Sequence, residues 1–301
     1  MTNTVPTTPL CDGGPHVSTL IWGLWRLTDW NLRPVELRRR VDHCLDRGIT
    51  TFDHADIYGS YEEEEAFGRA LAEAPYDRAA VQFVGKCGIR MVSPQRPAHG
   101  LTHYDTSAAH ITRSVERSLT NLRTDYLDLL LLHRPDPLLD ADEVAEAFDR
   151  LHLAGKVRHF GVSNFLPHQY DLLNHRLETP LVTNQLEFSA SQHAAWYDGT
   201  LDHAQRLRYR PLAWSPLGGG ALFQEESPLL SVLRAVGAEL GNRTADQVAL
   251  AWLRRHPSHP IPILGTGRLE RIDAAVAALD LELSREQWFR IWTAAEGHGV
   301  P

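Results

Sequence analysis

Four polar side chains, each at or just after the end of an apolar run, carry the chemistry this sequence could perform. Asp53 closes the short β-prone stretch Thr50–Asp53, and Tyr58 follows five residues on, just before Gly59. Lys86 ends the run Val81–Lys86, and His133 follows the nearly continuous apolar stretch Leu127–Leu132. A phenol, with a pKa of about 10, is a poor acid at neutral pH. An ammonium beside it favours the phenolate and is expected to lower that value, while a carboxylate holds the ammonium in place. A nearby imidazole can hydrogen-bond a substrate oxygen and orient it. Together they would make a general acid aimed at a carbonyl oxygen as negative charge develops there. That is an apparatus for carbonyl reduction, and it lacks only a hydride donor.

Each residue has a plainer reading. Asp after a strand is often a cap or turn former, and Tyr-Gly is a common loop pair. Lys86 before Cys87 and Gly88 could be a solvated strand end, and a lone histidine such as His133 is more often a satisfied core residue. Convergence of the four on one mouth is what favours chemistry, and convergence requires a scaffold.

The chain supplies one. Strand-like runs fall at Thr19–Gly23, Thr50–Asp53, Val81–Lys86, Leu127–Leu132, His159–Ser163, Leu181–Gln185, Pro211–Trp214 and Ile261–Leu264. Helical spacing follows nearly every one, as in Pro34–Gly48, Tyr61–Glu73, Thr106–Asn121, Leu166–Asn174 and Leu269–Leu279. Trp196–Gln205 reads as one helix, Thr244 with Gln247 as a capping box, and Cys87–Asp105 as a long polar loop. About eight strand–helix units without a linker imply a parallel sheet closed into a single-domain (β/α)8 TIM barrel over residues 1–301, with 1–16 as an irregular lead. A doubly wound sheet would need a GxGxxG turn after its first strand, and none is present. In a closed barrel Asp53, Lys86 and His133 all sit at the C-terminal lip, where such barrels place their chemistry.

Composition bounds the rest. The 301 residues are 43% hydrophobic and 23% charged, an ordinary globular balance. A formal charge of −8 argues against nucleic acid or an acidic membrane surface as a partner. Cys11, Cys44 and Cys87 form no CxxC pair, which favours a reducing, cytoplasmic compartment. The first residues have no signal-peptide pattern, and no segment is apolar enough to span a bilayer.

Read as motifs, the chain resembles the aldo-keto reductases over almost its whole length. The matches are GLWRL (Gly23–Leu27), DHADIYG (Asp53–Gly59), GKCG (Gly85–Gly88), LLLLHRPDP (Leu129–Pro137), GVSNF (Gly161–Phe165), TNQLE (Thr183–Glu187), WSPLGGG (Trp214–Gly220) and ILGTGR (Ile263–Arg268). The wording of HADIYG (His54–Gly59), GKVRHFGVSNF (Gly155–Phe165), LGGG (Leu217–Gly220) and REQWFRIW (Arg285–Trp292) looks like the bacterial YdhF-like oxidoreductase subgroup in particular. The resemblance implies an NADPH-dependent reductase of aldehydes or ketones, with Asp53, Tyr58, Lys86 and His133 as catalytic tetrad and Tyr58 as acid. It implies that Ser163, Asn164 and Gln185 hold the nicotinamide carboxamide and that Trp214 stacks on its ring. Gly23, Trp25 and Arg26 would border the cofactor together with Asp53. Ser215, Leu217, Gly218, Gly219 and Gly220 match a pyrophosphate loop. Gly265, Thr266, Gly267, Arg268 and Arg271 match the segment around the 2′-phosphate and adenine ribose, in keeping with phosphate binding after strands 7 and 8 of such barrels. Trp25, Trp30, Tyr58 and His133 would shape the substrate pocket.

Two departures from the family pattern stand out. Ala274 and Ala275 occupy positions where many relatives carry Glu or Gln and Asn, which puts contacts to the adenine amino group in doubt. The short tail after Trp288 suggests an open pocket, or one closed by Trp25, Trp30 and the Cys87–Asp105 loop. His99 and His103, four apart, read as loop residues rather than a metal pair. Cys87 reads either as core or as an oxidation-sensitive thiol activated by Lys86. Two other functions fit parts of the chain. One is a nicotinamide-sensing regulatory subunit, and the other a metal-dependent hydrolase using Asp53, His54, Asp56 and His133.

Overall fold

A computed structural model describes residues 4–301. In chain order its strands are β1 (Thr7–Pro9), β2 (His16–Ser18), β3 (Ile21–Gly23), β4 (Thr51–Asp53), β5 (Gln82–Cys87), β6 (Ile89–Arg90), β7 (His103–Tyr104), β8 (Leu127–Leu132), β9 (Val157–Ser163), β10 (Leu181–Glu187), β11 (Leu212–Trp214) and β12 (Ile261–Leu264). The helices are α1 (Pro34–Asp46), α2 (Glu63–Leu71), α3 (Ala108–Leu122), α4 (Ala141–Leu153), α5 (Pro167–Asn174), α6 (Ala194–Tyr197), α7 (Thr200–Leu207), α8 (Pro228–Glu239), α9 (Ala245–Arg254), α10 (Leu269–Ala277) and α11 (Arg285–Glu296). Strands β3, β4, β5, β8, β9, β10, β11 and β12 close into a parallel barrel, with β12 returning to β3. This is the single-domain (β/α)8 barrel that the alternation implies.

The pattern of β8 explains why an unbroken apolar run is needed. Leu129 and Leu131 belong to the barrel interior with Ile21, Val84, Val182 and Ile263, while Leu127, Leu130 and Leu132 pack outward against the helices. A strand covered on both faces can leave neither set polar. Outside the barrel, Phe52, Phe67 and Phe83 form one aromatic cluster. On the far side Trp252 and Trp288 stack at 4.8 Å, and each indole N–H donates to the other residue's carbonyl at 3.1 Å. That reciprocal pair fastens α11 to α9.

Three details depart from the sequence reading. The lead expected over residues 1–16 is not irregular throughout, because β1 and β2 pair as an antiparallel hairpin, and Val17 of β2 joins the interior cluster together with Leu10 from the turn; residues 1–3 lie outside the described part. The helix expected over Trp196–Gln205 is split at Gly199, whose φ of 81° ends α6 and begins α7. The polar loop after Lys86 carries its own antiparallel pair, β6 with β7. The Thr244 capping box is present, with the Thr244 N–H donating to Gln247 Oε1 at 3.1 Å. Among the described residues no helix is long and apolar enough to cross a membrane.

Candidate active site

Asp53 is the last residue of β4, in register with Gly23 on one side and Val84 on the other, and Lys86 lies two residues beyond Val84 on β5. The fully buried Lys86 Nζ donates to Asp53 Oδ2 at 2.6 Å, to the His54 carbonyl at 2.7 Å and to the Tyr58 hydroxyl at 3.0 Å. All three ammonium protons therefore have an acceptor. From across the barrel Gln185 Nε2 donates to the other Asp53 oxygen at 2.8 Å. The Tyr58 ring meets His133 edge to face, with centroids 5.8 Å apart. The four residues predicted to converge do so.

Their electrostatics differ from the sequence expectation in one respect. Burial pushes the Tyr58 phenol above its ordinary pKa; Lys86 pulls it down without cancelling that rise, and Asp53 adds to it. A phenolate has more hydration to lose than a phenol, so desolvation wins over one ammonium that is itself offset by a carboxylate. Tyr58 is accordingly protonated at neutral pH, the state a proton donor needs. Burial opposes the charge on Lys86 as well, but Asp53 and Tyr58 outweigh it and keep the ammonium above its ordinary value. His133 is held well below the usual imidazole range by burial first, then by Lys86 and Arg134, and is neutral. Its backbone N–H donates to the Cys87 carbonyl at 2.8 Å and its Nδ1 is buried without a partner, so contact with a bound oxygen falls to Nε2.

A cavity of about 1160 Å³ opens on this group. Trp25, Ile57, Ile89 and Met91 line it together with Tyr58 and His133, so the loop after Lys86 contributes to its wall. Trp30 does not line it. Its ring stacks on Trp22 at 5.6 Å and occupies the space where a Cβ on Gly267 would lie, which turns it away from the mouth.

The wall continues through a linked set. Asn164, at φ 60°, donates its N–H to the Gln185 carbonyl at 2.7 Å and its Nδ2 to Ser163 Oγ at 2.8 Å, and accepts from Trp214 Nε1 at 3.0 Å. Ser215 and Leu217 follow in the wall. Gly218, Gly219 and Gly220 have φ of 60°, 64° and 98°, a run of left-handed residues that only glycine adopts without strain. Gly219 and Gly220 border the cavity, whereas Gly218 faces Ser191. Arg26 Nη2 donates to the Gly219 carbonyl at 3.2 Å and so bridges the loops after β3 and β11. At the far end Gly265, Thr266, Arg271 and Ala275 line the space. Arg268 does not; it caps α10 from outside the helix and pairs with Glu270 at 2.6 Å.

Several cavity residues escape a reading by motif. Arg134 lies beside His133, while Leu230, Arg234 and Asp246 come from α8 and α9. Their only sequence signal is position just after a strand or on the helices that follow β11.

The other sequence features resolve as packing. His54 is sealed between Phe67 and Phe83 with both ring nitrogens unpartnered, and burial, then Lys86, lower its pKa to about 3. Asp53 is engaged by Lys86, and among the described residues no three potential ligands form a metal-binding group. The donors of a hydrolase site therefore do not converge. Burial, then Asp56 and Glu64, push the Cys87 thiol well up, the opposite of activation. His99 Nδ1 and His103 Nδ1 meet different carbonyls, of Met91 and Leu101.

Beneath the Tyr58 loop lie two buried acids. Burial raises Asp56 to about 7 and, with Asp56 adding to it, Glu64 to about 8. Between their ordinary and raised pKa values the folded chain keeps protons that the unfolded chain has lost, so stability falls as pH rises from about 4 to about 8. Glu64→Gln should therefore raise the melting temperature at pH 8.5 and change it little at pH 5; for domains of 150–250 residues about 2–4 °C corresponds to 1 kcal/mol. Equal shifts at both pH values, or a loss at pH 8.5, would contradict this assignment.

A closed barrel with a lysine-anchored tyrosine, a neutral histidine and a long glycine-bordered groove at its C-terminal lip defines an oxidoreductase of the barrel class. The family description "Aldo/keto reductase family" matches residues 19–296, and the chain belongs to that family. It is 52% identical to the oxidoreductase YcsN of Bacillus subtilis, over 94% of this chain and 96% of that one. It is likewise 52% identical to the oxidoreductase YdhF of Escherichia coli, over 96% and 97%. Identity to a 6-dehydroglucose reductase of Agrobacterium fabrum is 43%, over 95% and 96%.

Proposed function

We propose that this protein reduces an aldehyde or ketone to the alcohol with NADPH, Tyr58 donating the proton. The observation that carries the reading is Lys86 Nζ lying between Asp53 and the Tyr58 hydroxyl, at a cavity wall that also holds a neutral His133. His133 Nε2 would orient the carbonyl oxygen, and Tyr58 would deliver its proton there as charge builds. Lys86 then offsets the charge left on the tyrosine. The groove fits a nicotinamide dinucleotide, because its glycine run leaves room for close backbone approach to a phosphate. Ser163, Asn164, Gln185 and Trp214 would hold the reactive end, Ser215, Leu217 and the glycines the middle, and Thr266 with Arg271 the ribose end. When bound, the cofactor supplies the hydride. NADPH oxidation against a broad panel of aldehydes and ketones, neutral and carboxylated, tests the reading, and the absence of turnover on all of them would favour a sensor of the same fold.

We rest the preference for NADPH over NADH on Arg271, which lines the cavity and forms no ion pair among the described residues, whereas Arg268 is engaged by Glu270. A hydrogen bond to a charged group contributes about 1.5–3 kcal/mol, so one arginine on a 2′-phosphate should favour NADPH by roughly ten- to over a hundredfold. Arg271→Ala should erode that ratio by weakening NADPH, and more so at low ionic strength. Equal dissociation constants for the two cofactors in the wild type would refute the preference.

A further inference from the structure

Beside His133 the cavity wall carries one positive charge that no ion pair offsets among the described residues. Arg134 lines the wall beside His133, with its guanidinium carbon 5.6 Å from the centroid of the Trp214 ring. Among the described residues it forms no ion pair and no hydrogen bond. Of the other cations around the cavity, Arg271 belongs to α10 at the far end and the rest are engaged. Lys86 is offset by Asp53, Arg26 donates to the Gly219 carbonyl, and Arg234 pairs with Glu226 at 2.7 Å. Glu187, at the end of β10, feels the field of Arg134 but lies beyond ion-pair distance and outside the cavity wall. The neighbouring His133 is neutral and adds no charge of its own.

Resting on the proposed reductase reading, we propose that Arg134 is a specificity-determining residue that anchors the carboxylate of an anionic carbonyl substrate. Arg134 is half-buried, lines the same cavity as Ile57, Ile89 and Met91, and presents a planar fork matched to a carboxylate. Its position sets the shape of the ligand. His133 and Arg134 line one cavity, so an oxygen held by the first and an anion held by the second can belong to one small molecule. The apolar lining suits the carbon frame between them. A neutral polyhydroxylated substrate would leave the charge unused.

The test compares two aldehydes of the same frame, 4-carboxybenzaldehyde and its methyl ester, as a ratio of kcat/KM values. The ratio cancels any general effect of a substitution on turnover. In the wild type the carboxylate should be preferred roughly ten- to a hundredfold, chiefly through KM, as expected for one hydrogen-bonded charge pair. Arg134→Met should bring the ratio near one, and Arg134→Lys should keep part of the preference. A wild-type ratio at or below one, or a ratio that survives Arg134→Met, would overturn the assignment. Should neither aldehyde be turned over, the reductase reading fails on its own count, and calorimetry with 4-(hydroxymethyl)benzoate still decides about Arg134. Binding weakened tenfold or more by Arg134→Met supports the anchor, and unchanged binding removes it.

Discussion

Tyr58→Phe should lower kcat for carbonyl reduction by roughly 10²–10⁴-fold, the usual contribution of a positioned proton donor, while NADPH binding changes little. The substitution removes one hydroxyl and leaves the ring, over which Lys86 Nζ sits 4.8 Å from the centroid. Lys86 keeps Asp53 Oδ2 and the His54 carbonyl as acceptors, so the buried ammonium stays satisfied by two of its three partners. The fold should therefore survive, and the loss can be assigned to chemistry. Two measurements check it together. Single-turnover reduction should fall by the stated factor, and a cofactor titration followed by fluorescence should be nearly superimposable on wild type. A variant that kept more than half of the wild-type rate with chemistry limiting would assign the proton to another group.

The elements that position these groups were legible because their physics is local. An apolar run such as Leu127–Leu132 has to be covered on both faces, and the alternation of strands and helices then leaves few topologies. Asp53, Lys86 and His133 could be placed at one lip because each ends, or immediately follows, such a run. What could not be read depends on depth and on side-chain direction. The phenol of Tyr58 rises because burial outweighs Lys86, and burial is a property of the assembled barrel. Trp25 and Trp30 look alike in the sequence, yet the 3-10 turn Thr28–Trp30 turns the second onto Trp22 and Gly267. Arg268 and Arg271, three apart, suggest a common face, but Arg268 lies outside the helix and bends to Glu270. Leu230, Arg234 and Asp246 come from helices whose apolar stripes look the same whether they face core or cavity. Arg134 was hidden by its neighbour, since a histidine at a strand end draws the chemistry to itself.

Lys86→Met separates the electrostatic role of the lysine from its structural one. The substitution leaves the Tyr58 phenol without the one nearby charge that lowers its pKa, so proton donation becomes harder and the tyrosine titrates at still higher pH. It also leaves Asp53 buried, with Gln185 Nε2 as its remaining side-chain donor. Removing one partner of a buried ion pair costs about 3–5 kcal/mol, because the other charge stays uncompensated. Activity should fall by at least roughly a hundredfold, and the melting temperature should drop as well. The two losses have different origins and can be split. In the double variant Lys86→Met/Asp53→Asn the uncompensated charge is gone and the amide can still meet Gln185. Much of the stability should return, whereas the rate should not, since no ammonium has been restored beside Tyr58. A double variant that recovered rate along with stability would mean that Lys86 acts only by holding the fold. A pH–rate profile of the single variant matching wild type would make it a bystander to the chemistry.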